Sequence, residues 1–191
     1  MARKNRARYG RVENGLGVVP TFISGEIPVY KKPLTLRQAR KRIEALYHPY
    51  HDLLSELLTT AQKNFGQNLL VDCHYMPGFT FQGTRRPDVI LGDRCGVSCH
   101  PETVDFIRVL FESRGYGVTG NSPYAGGYAA SDYGRPMEGI EAVQIEINRD
   151  LYVNPVTCKS KRGYERFADD IYDVIGAITH RSSGSWLMAA E

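Results

Sequence analysis

No stretch of this 191-residue chain is apolar for long enough to cross a bilayer, so a membrane-spanning protein is not expected. The beginning also lacks an apolar run behind its basic residues and does not read as a secretory signal. Cysteine is scarce. The four present fall at spacings unlike a disulfide framework, which points to free thiols in a cytoplasmic protein. Charge of one sign is scarce as well, the excess being only +3, and much of it sits in Arg3, Lys4, Arg6, Arg8 and Arg11. No nucleic-acid motif and no sustained basic and aromatic face follows, so residues 1–14 read as a solvated, flexible tail and nucleic acid is not an expected partner. No histidine precedes His48, which restricts where an imidazole-based metal site can be built.

Apolar residues make up 42% and charged residues 24%, ordinary globular usage, and the length suits one α/β domain over 1–191. Thr35 with Gln38 three residues on predicts a capped helix start, and Ala39, Ile43, Leu46, Leu53, Leu54, Leu57 and Leu58 keep helical spacing as far as Gly66. Pro49 is expected to kink or divide that helix. Leu69–Val71 and Val89–Leu91 read as buried strands. Pro101 opens a second helix running to Gly115, with Val104, Ile107, Leu110 and Phe111 on one side. A short strand near Tyr116–Thr119 leads to a glycine- and tyrosine-rich stretch, 120–139, expected to be an irregular but folded active-site loop. Val143–Ile147 is the next strand. The last helix is predicted over Lys161–His180, burying Phe167, Ile171, Val174, Ile175 and Ile178. Strands alternating with helices imply an α/β sheet covered on both faces, with functional residues where strands end.

Two strand-like runs carry chemistry. Leu69 to His74 closes on an imidazole, with Asp72 and Cys73 before it, and taken alone His74 also fits a hydrogen-bonded structural role. Glu146 lies between Ile145 and Ile147, where a buried carboxylate needs a cation, donors or a catalytic reason, and a structural ion pair is the alternative. Arg85, Arg86 and Arg94 surround the second strand, where guanidinium groups suit paired hydrogen bonds to a substrate carboxylate, and Arg85 reads as solvated. His48 and His51 are placed to share a helical face, although a kinked helix explains them equally. Cys95, Cys99 and His100, with Cys73, match no zinc-knuckle spacing.

The segments DCHYMPG from Asp72, RRPDVILGDRCGVSC from Arg85, NSPYAGGY from Asn121 and QIEINRDLY from Gln144 resemble, in order and spacing, the N-formylglutamate amidohydrolase family. PYH at Pro49 and GLGVVP at Gly15 extend the likeness. The resemblance implies a mixed sheet flanked by helices, phosphorylase/hydrolase-like and related to the zinc carboxypeptidases. It implies hydrolysis of an N-formyl or N-acyl amino acid by zinc-activated water, in amino-acid degradation. It makes His74 a metal ligand, Glu146 the general base, Arg94, Arg149 and Arg86 candidates for holding the substrate, and Asn121 and Tyr124 part of a substrate loop. Two departures stand out. Tyr75 replaces the serine of the family's DCHS, and an early histidine and acidic residue that supply the first metal ligands in the family have no counterpart ahead of His48. A truncated homologue is therefore expected, with exposed apolar surface, self-association, and an alternative role as a ligand-binding or interaction module without turnover.

Overall fold

A computed structural model describes residues 19–23, 27–80 and 82–184, the last three by backbone alone. The basic tail and the GLGVVP segment as far as Val18 lie outside the described residues. The chain divides into two compact units, Met1–Leu54 and Ser55–Glu191.

In the first unit, strands β1 (Phe22–Ile23) and β2 (Ile27–Pro28) pair antiparallel. Helix α1 (Leu36–Arg42) begins as its sequence predicts: the Gln38 amide donates to Thr35 Oγ1 at 3.3 Å, and the Thr35 amide donates back to Gln38 Oε1 at 2.9 Å. The expected division falls one turn ahead of Pro49. Ile43–Tyr47 is a π-helical turn that runs directly into helix α2 (His48–Phe65), and the wider turn falls just where Pro49, lacking an N–H, interrupts the regular helical ladder.

The second unit holds a four-stranded mixed sheet in the order β3 (Asn68–Met76), β6 (Ile140–Asn148), β4 (Val89–Gly92), β5 (Val118–Gly120). β3 runs parallel to β6, β4 antiparallel to β6, and β5 parallel to β4. The expected strand over Leu69–Val71 is only a third of the observed one: the ladder with β6 runs from Asn68 to Met76, so His74 lies inside the strand rather than at its end. Helix α3 (Pro101–Glu112) and helix α5 (Tyr164–Gly184) cover one face, packing Val104, Ile107, Phe111, Val174 and Ile178 onto Val89, Leu91, Val143 and Ile145. Each such side chain contributes about 1.5–3 kcal/mol on leaving water. α5 starts three residues later than predicted, after a turn, and Ile175 is 37% exposed because it sits on the shoulder of the buried stripe. The opposite sheet face receives helix α4 (Tyr128–Tyr133), within the stretch expected to be irregular, and it packs on β6 and β3 through buried Ala130 and Tyr133. The sheet is thus flanked by helices. No helix among the described residues is long and apolar enough to cross a membrane.

The Tyr116 hydroxyl is one of the ties between α5 and the segment before β5. Tyr116 Oη donates to Asp170 Oδ2 at 2.7 Å, and its ring meets Phe111 and Phe167 edge-on. Burial, then Asp170, pushes the phenol up to about 12. The folded state thus holds the proton more tightly than the unfolded chain, whose tyrosine titrates near ~10, so this contribution is complete below that pH and is lost as pH rises from 10 towards 12. Tyr116→Phe keeps the ring and loses the bond to a charged acceptor. Urea unfolding at neutral pH should show a loss of about 1–2 kcal/mol, and the alkaline decline of the parent protein between those two pH values should be shallower in the variant.

Candidate active site

Directly opposed residues on neighbouring strands point to the same face, and successive residues to opposite faces. The β3–β6 register sets Asp72 against Gln144 and His74 against Glu146, and that of β4–β6 sets Glu146 against Ile90. Asp72, His74, Gln144 and Glu146 therefore form a polar patch on the face turned away from the α3–α5 core. Gln144 Nε2 donates to Glu146 Oε1 at 2.9 Å, and His74 Nε2 lies 3.0 Å from Asp72 Oδ1. Glu146 is 5% exposed, whereas His74 is open to solvent. Burial raises the proton affinity of Glu146 above that of an ordinary glutamate. Attraction to His74 opposes that shift, Asp72 adds to it, and Arg86 opposes it more weakly.

Arg86 is held over this patch from the segment before β4. Its amide donates to Gly78 O at 2.8 Å, and its own carbonyl and that of Pro87 accept from Asn148 Nδ2 at 3.4 and 3.3 Å. Its guanidinium lies over the Tyr124 ring, 5.3 Å from the centroid, and Nε donates to Phe79 O at 3.4 Å. Nη1 is buried with no hydrogen-bond partner. An unpaired buried donor on a permanent cation is costly to leave unmade, and it fits an anion brought in by a ligand.

The loop carrying Tyr124 is pinned by the turn after β4. Arg94 and Cys95 have φ of 56° and 58°, a left-handed conformation that side chains disfavour, and Asp93 stabilises it by accepting from the Cys95 and Gly96 amides at 3.1 Å each. Asn121 Nδ2 donates to Asp93 Oδ1 at 2.5 Å, and Asn121 Oδ1 accepts from the Asp93 and Cys95 amides at 3.2 Å each. Gly92 has no room for a side chain, since a Cβ there would lie 2.5 Å from Gly126 N. The two backbones touch, and Tyr124 is set beside the patch.

Of the residues singled out from sequence, Glu146, His74, Arg86 and Tyr124 thus gather around one patch. Asn121 directs its side-chain hydrogen bonds into the Asp93 turn. Arg94 has an exposed side chain beside Gly126. Arg149 follows β6 in a 3-10 turn, its Nε is buried and unpaired, and its charge acts on Tyr152. Arg85 is exposed and pairs with Asp88 at 3.4 Å. His48 and His51 pack their rings against Tyr47, and His51 also meets Tyr50. Cys99 is buried and donates to Glu141 at 3.1 Å; burial and then that carboxylate hold its thiol protonated. Sequence reasoning missed Gln144, Asn148 and Asp93 as positioning residues. The signal was available for the first two: Gln144, Glu146 and Asn148 recur at strand period in an otherwise apolar run.

A catalytic zinc site takes three protein ligands. Among the described residues no three His, Cys, Asp or Glu side chains converge to hold a metal ion. The described residues alone therefore do not fit the zinc that the resemblance implies, and no step below is routed through it.

The sequence pattern of the N-formylglutamate amidohydrolase family matches residues 3–153. The N-formylglutamate deformylase of Pseudomonas putida is 34% identical over 145 residues, which are 72% of this chain and 53% of that protein. That of Pseudomonas aeruginosa is 28% identical over 144 residues, 72% of this chain and 54% of its own length. The chain spans about half the length of these curated relatives. The crystal structure of N-formylglutamate amidohydrolase from Ralstonia eutropha superposes with a TM-score of 0.81 at 28% identity, over 96% of this chain and 65% of that one.

Proposed function

Because the chain belongs to the N-formylglutamate amidohydrolase family, we propose that it serves in hydrolysis of the amide bond of an N-formyl or N-acyl amino acid. The observation that carries this reading is the pairing of a buried carboxylate of raised proton affinity, Glu146, with a cation, Arg86, whose buried Nη1 has no partner. Arg86 holds the carboxylate of the amino-acid part, and the Tyr124 ring keeps the guanidinium plane in place. Glu146 takes a proton from the attacking water as the water oxygen bonds to the acyl carbon. It returns that proton to the nitrogen as the C–N bond breaks, giving the acid and the free amine. Gln144 fixes the Glu146 carboxylate and Asp72 orients the His74 ring. The described residues do not by themselves make a zinc site, so the family's expected zinc enters this reading only as a quantity to be measured.

Formate release from N-formylglutamate by the purified protein, with metal content measured on the same sample, tests the reading; bound zinc without turnover, or neither, rejects catalysis by this chain. Arg86→Ala should weaken binding of N-formylglutamate in calorimetry by about 10- to 100-fold, the loss of one charge-assisted pair. Arg86→Lys should recover only part of it, because an ammonium lacks the planar fork. Binding without turnover is a second reading, favoured by the absence of three converging donors among the described residues. Calorimetric binding of N-formylglutamate with no formate produced would establish it.

A further inference from the structure

Asn121 follows β5 with a φ of 60°, left-handed as Arg94 and Cys95 are after β4. Non-glycine residues in that conformation persist where their surroundings over-determine them, and they gather at functional sites. Here the determinant is a reciprocal bond between the two turns. Asn121 Nδ2 donates to Asp93 Oδ1, Asn121 Oδ1 accepts from the Asp93 and Cys95 amides, and the Asn121 amide donates to Leu91 O at 2.9 Å. Asp93 is 7% exposed and also accepts from the Cys95 and Gly96 amides, so its carboxylate serves both turns at once.

We propose that the Asp93–Asn121 pair is a positioning clasp that holds Arg86 and Glu146 in one frame, with Asn121 acting through the loop it opens and not by contact with substrate. The clasp fixes the chain before Tyr124. The chain after it is fixed by the Arg94 amide, which donates to Ala125 O at 2.7 Å, and by Gly92, whose backbone touches that of Gly126. Between these anchors the Tyr124 ring underlies the Arg86 guanidinium. At its far end the loop meets the proton carrier's support. A Cβ on Gly127 would lie 3.4 Å from Gln144 Oε1, and Gln144 Nε2 donates to Glu146. A displaced loop therefore disturbs the cation on one side and the carboxylate on the other. Misplacement by about 1 Å is enough to lower a rate by ~10²-fold. The inference rests on the roles given above to Arg86 in binding and Glu146 in proton transfer.

Asn121→Gly removes the clasp while keeping a residue that accepts the left-handed conformation. The Arg86 Nε–H, which donates to Phe79 O beside the Tyr124 ring, gives a readout that needs no substrate. In a proton–nitrogen NMR spectrum of the full chain the ring should shift this resonance upfield, and the shift should vanish in Tyr124→Leu and in Asn121→Gly. Asn121→Asp sets two carboxylates together and should lose it too. Adding Asp93→Asn puts a donor back against an acceptor and should recover it.

Calorimetry with N-formylglutamate tests the consequence for the site. Asn121→Gly should weaken binding by about tenfold at unchanged stoichiometry, yet by less than about twofold in an Arg86→Ala background. A merely structural role would lower the stoichiometry in both backgrounds. An Arg86 resonance unmoved by Asn121→Gly, or an affinity loss of equal size with and without Arg86, overturns the proposal. A parent protein that binds no N-formylglutamate rejects the binding role of Arg86 instead, and the resonance alone then decides the clasp.

Discussion

Glu146→Gln should lower turnover of N-formylglutamate by about 10²- to 10⁴-fold, the usual contribution of a positioned proton carrier, while calorimetric affinity for the substrate changes little. The amide is isosteric with the carboxylate but accepts no proton. The same substitution should raise stability at neutral and alkaline pH. The carboxylate is buried against Gln144, Ile90 and His74, and its proton affinity is raised, chiefly by burial. The unfolded chain therefore gives up this proton first as pH rises. The parent loses stability from the ordinary glutamate range near ~4.3 upward through the raised folded value, and the glutamine variant does not titrate. Urea midpoints for the two proteins should coincide in acid and separate as pH rises, with the variant the more stable. A turnover loss accompanied by lower stability at pH 8 would assign Glu146 a structural role instead.

The opposite outcome is expected for Glu141, at the far end of the same strand. Its carboxylate is 5% exposed and accepts from the His100 amide at 2.9 Å, Cys99 Sγ at 3.1 Å and Thr103 Oγ1 at 3.2 Å. His100 is the N-cap of α3 and its own side chain makes no capping bond. Glu141 thus supplies, from a neighbouring strand, both the acceptor and the negative charge that the positive end of a helix attracts. Glu141→Ala leaves all three donors without an acceptor inside the protein. The loss should be about 3–5 kcal/mol in urea unfolding, a large share of the ~5–15 kcal/mol by which a domain is stable. Glu141→Gln keeps one acceptor oxygen and should cost less than half as much. A loss under about 1 kcal/mol for the alanine variant would mean that water replaces the carboxylate in solution.

Both glutamates stand in β6, and their sequence contexts are nearly alike: each is a carboxylate inside an apolar run. The sequence reading singles out Glu146 as costly to bury and passes over Glu141, and the difference between their roles comes from register. Glu141 lies on the face that meets α3, whereas Glu146 falls five residues on, on the opposite face, against His74. The element types were legible because they depend on neighbours in sequence. The Thr35 and Gln38 capping box, the proline opening α3 and the apolar spacing of α5 act within one or two turns of chain. The length of β3 was not legible, since a strand containing Asp72 and His74 continues only when a parallel neighbour such as β6 supplies the ladder. Helix α4 was hidden for a similar reason. Its six residues follow a glycine run with no N-cap side chain and are held by packing Ala130 and Tyr133 on the sheet.

By itself the sequence determined the family, the order of the sheet strands and the longer helices, and the identity of groups able to carry charge into the interior: Glu146, His74 and the arginines. These follow from composition, periodicity and ordered motifs, all local. Tertiary structure decided which of those groups act together. It brought Arg86 over Tyr124 near Glu146, turned Asn121 to the Asp93 turn, and set Arg149 beside Tyr152. It also set β6 between β3 and β4, because strand order is a property of the sheet rather than of any segment within it.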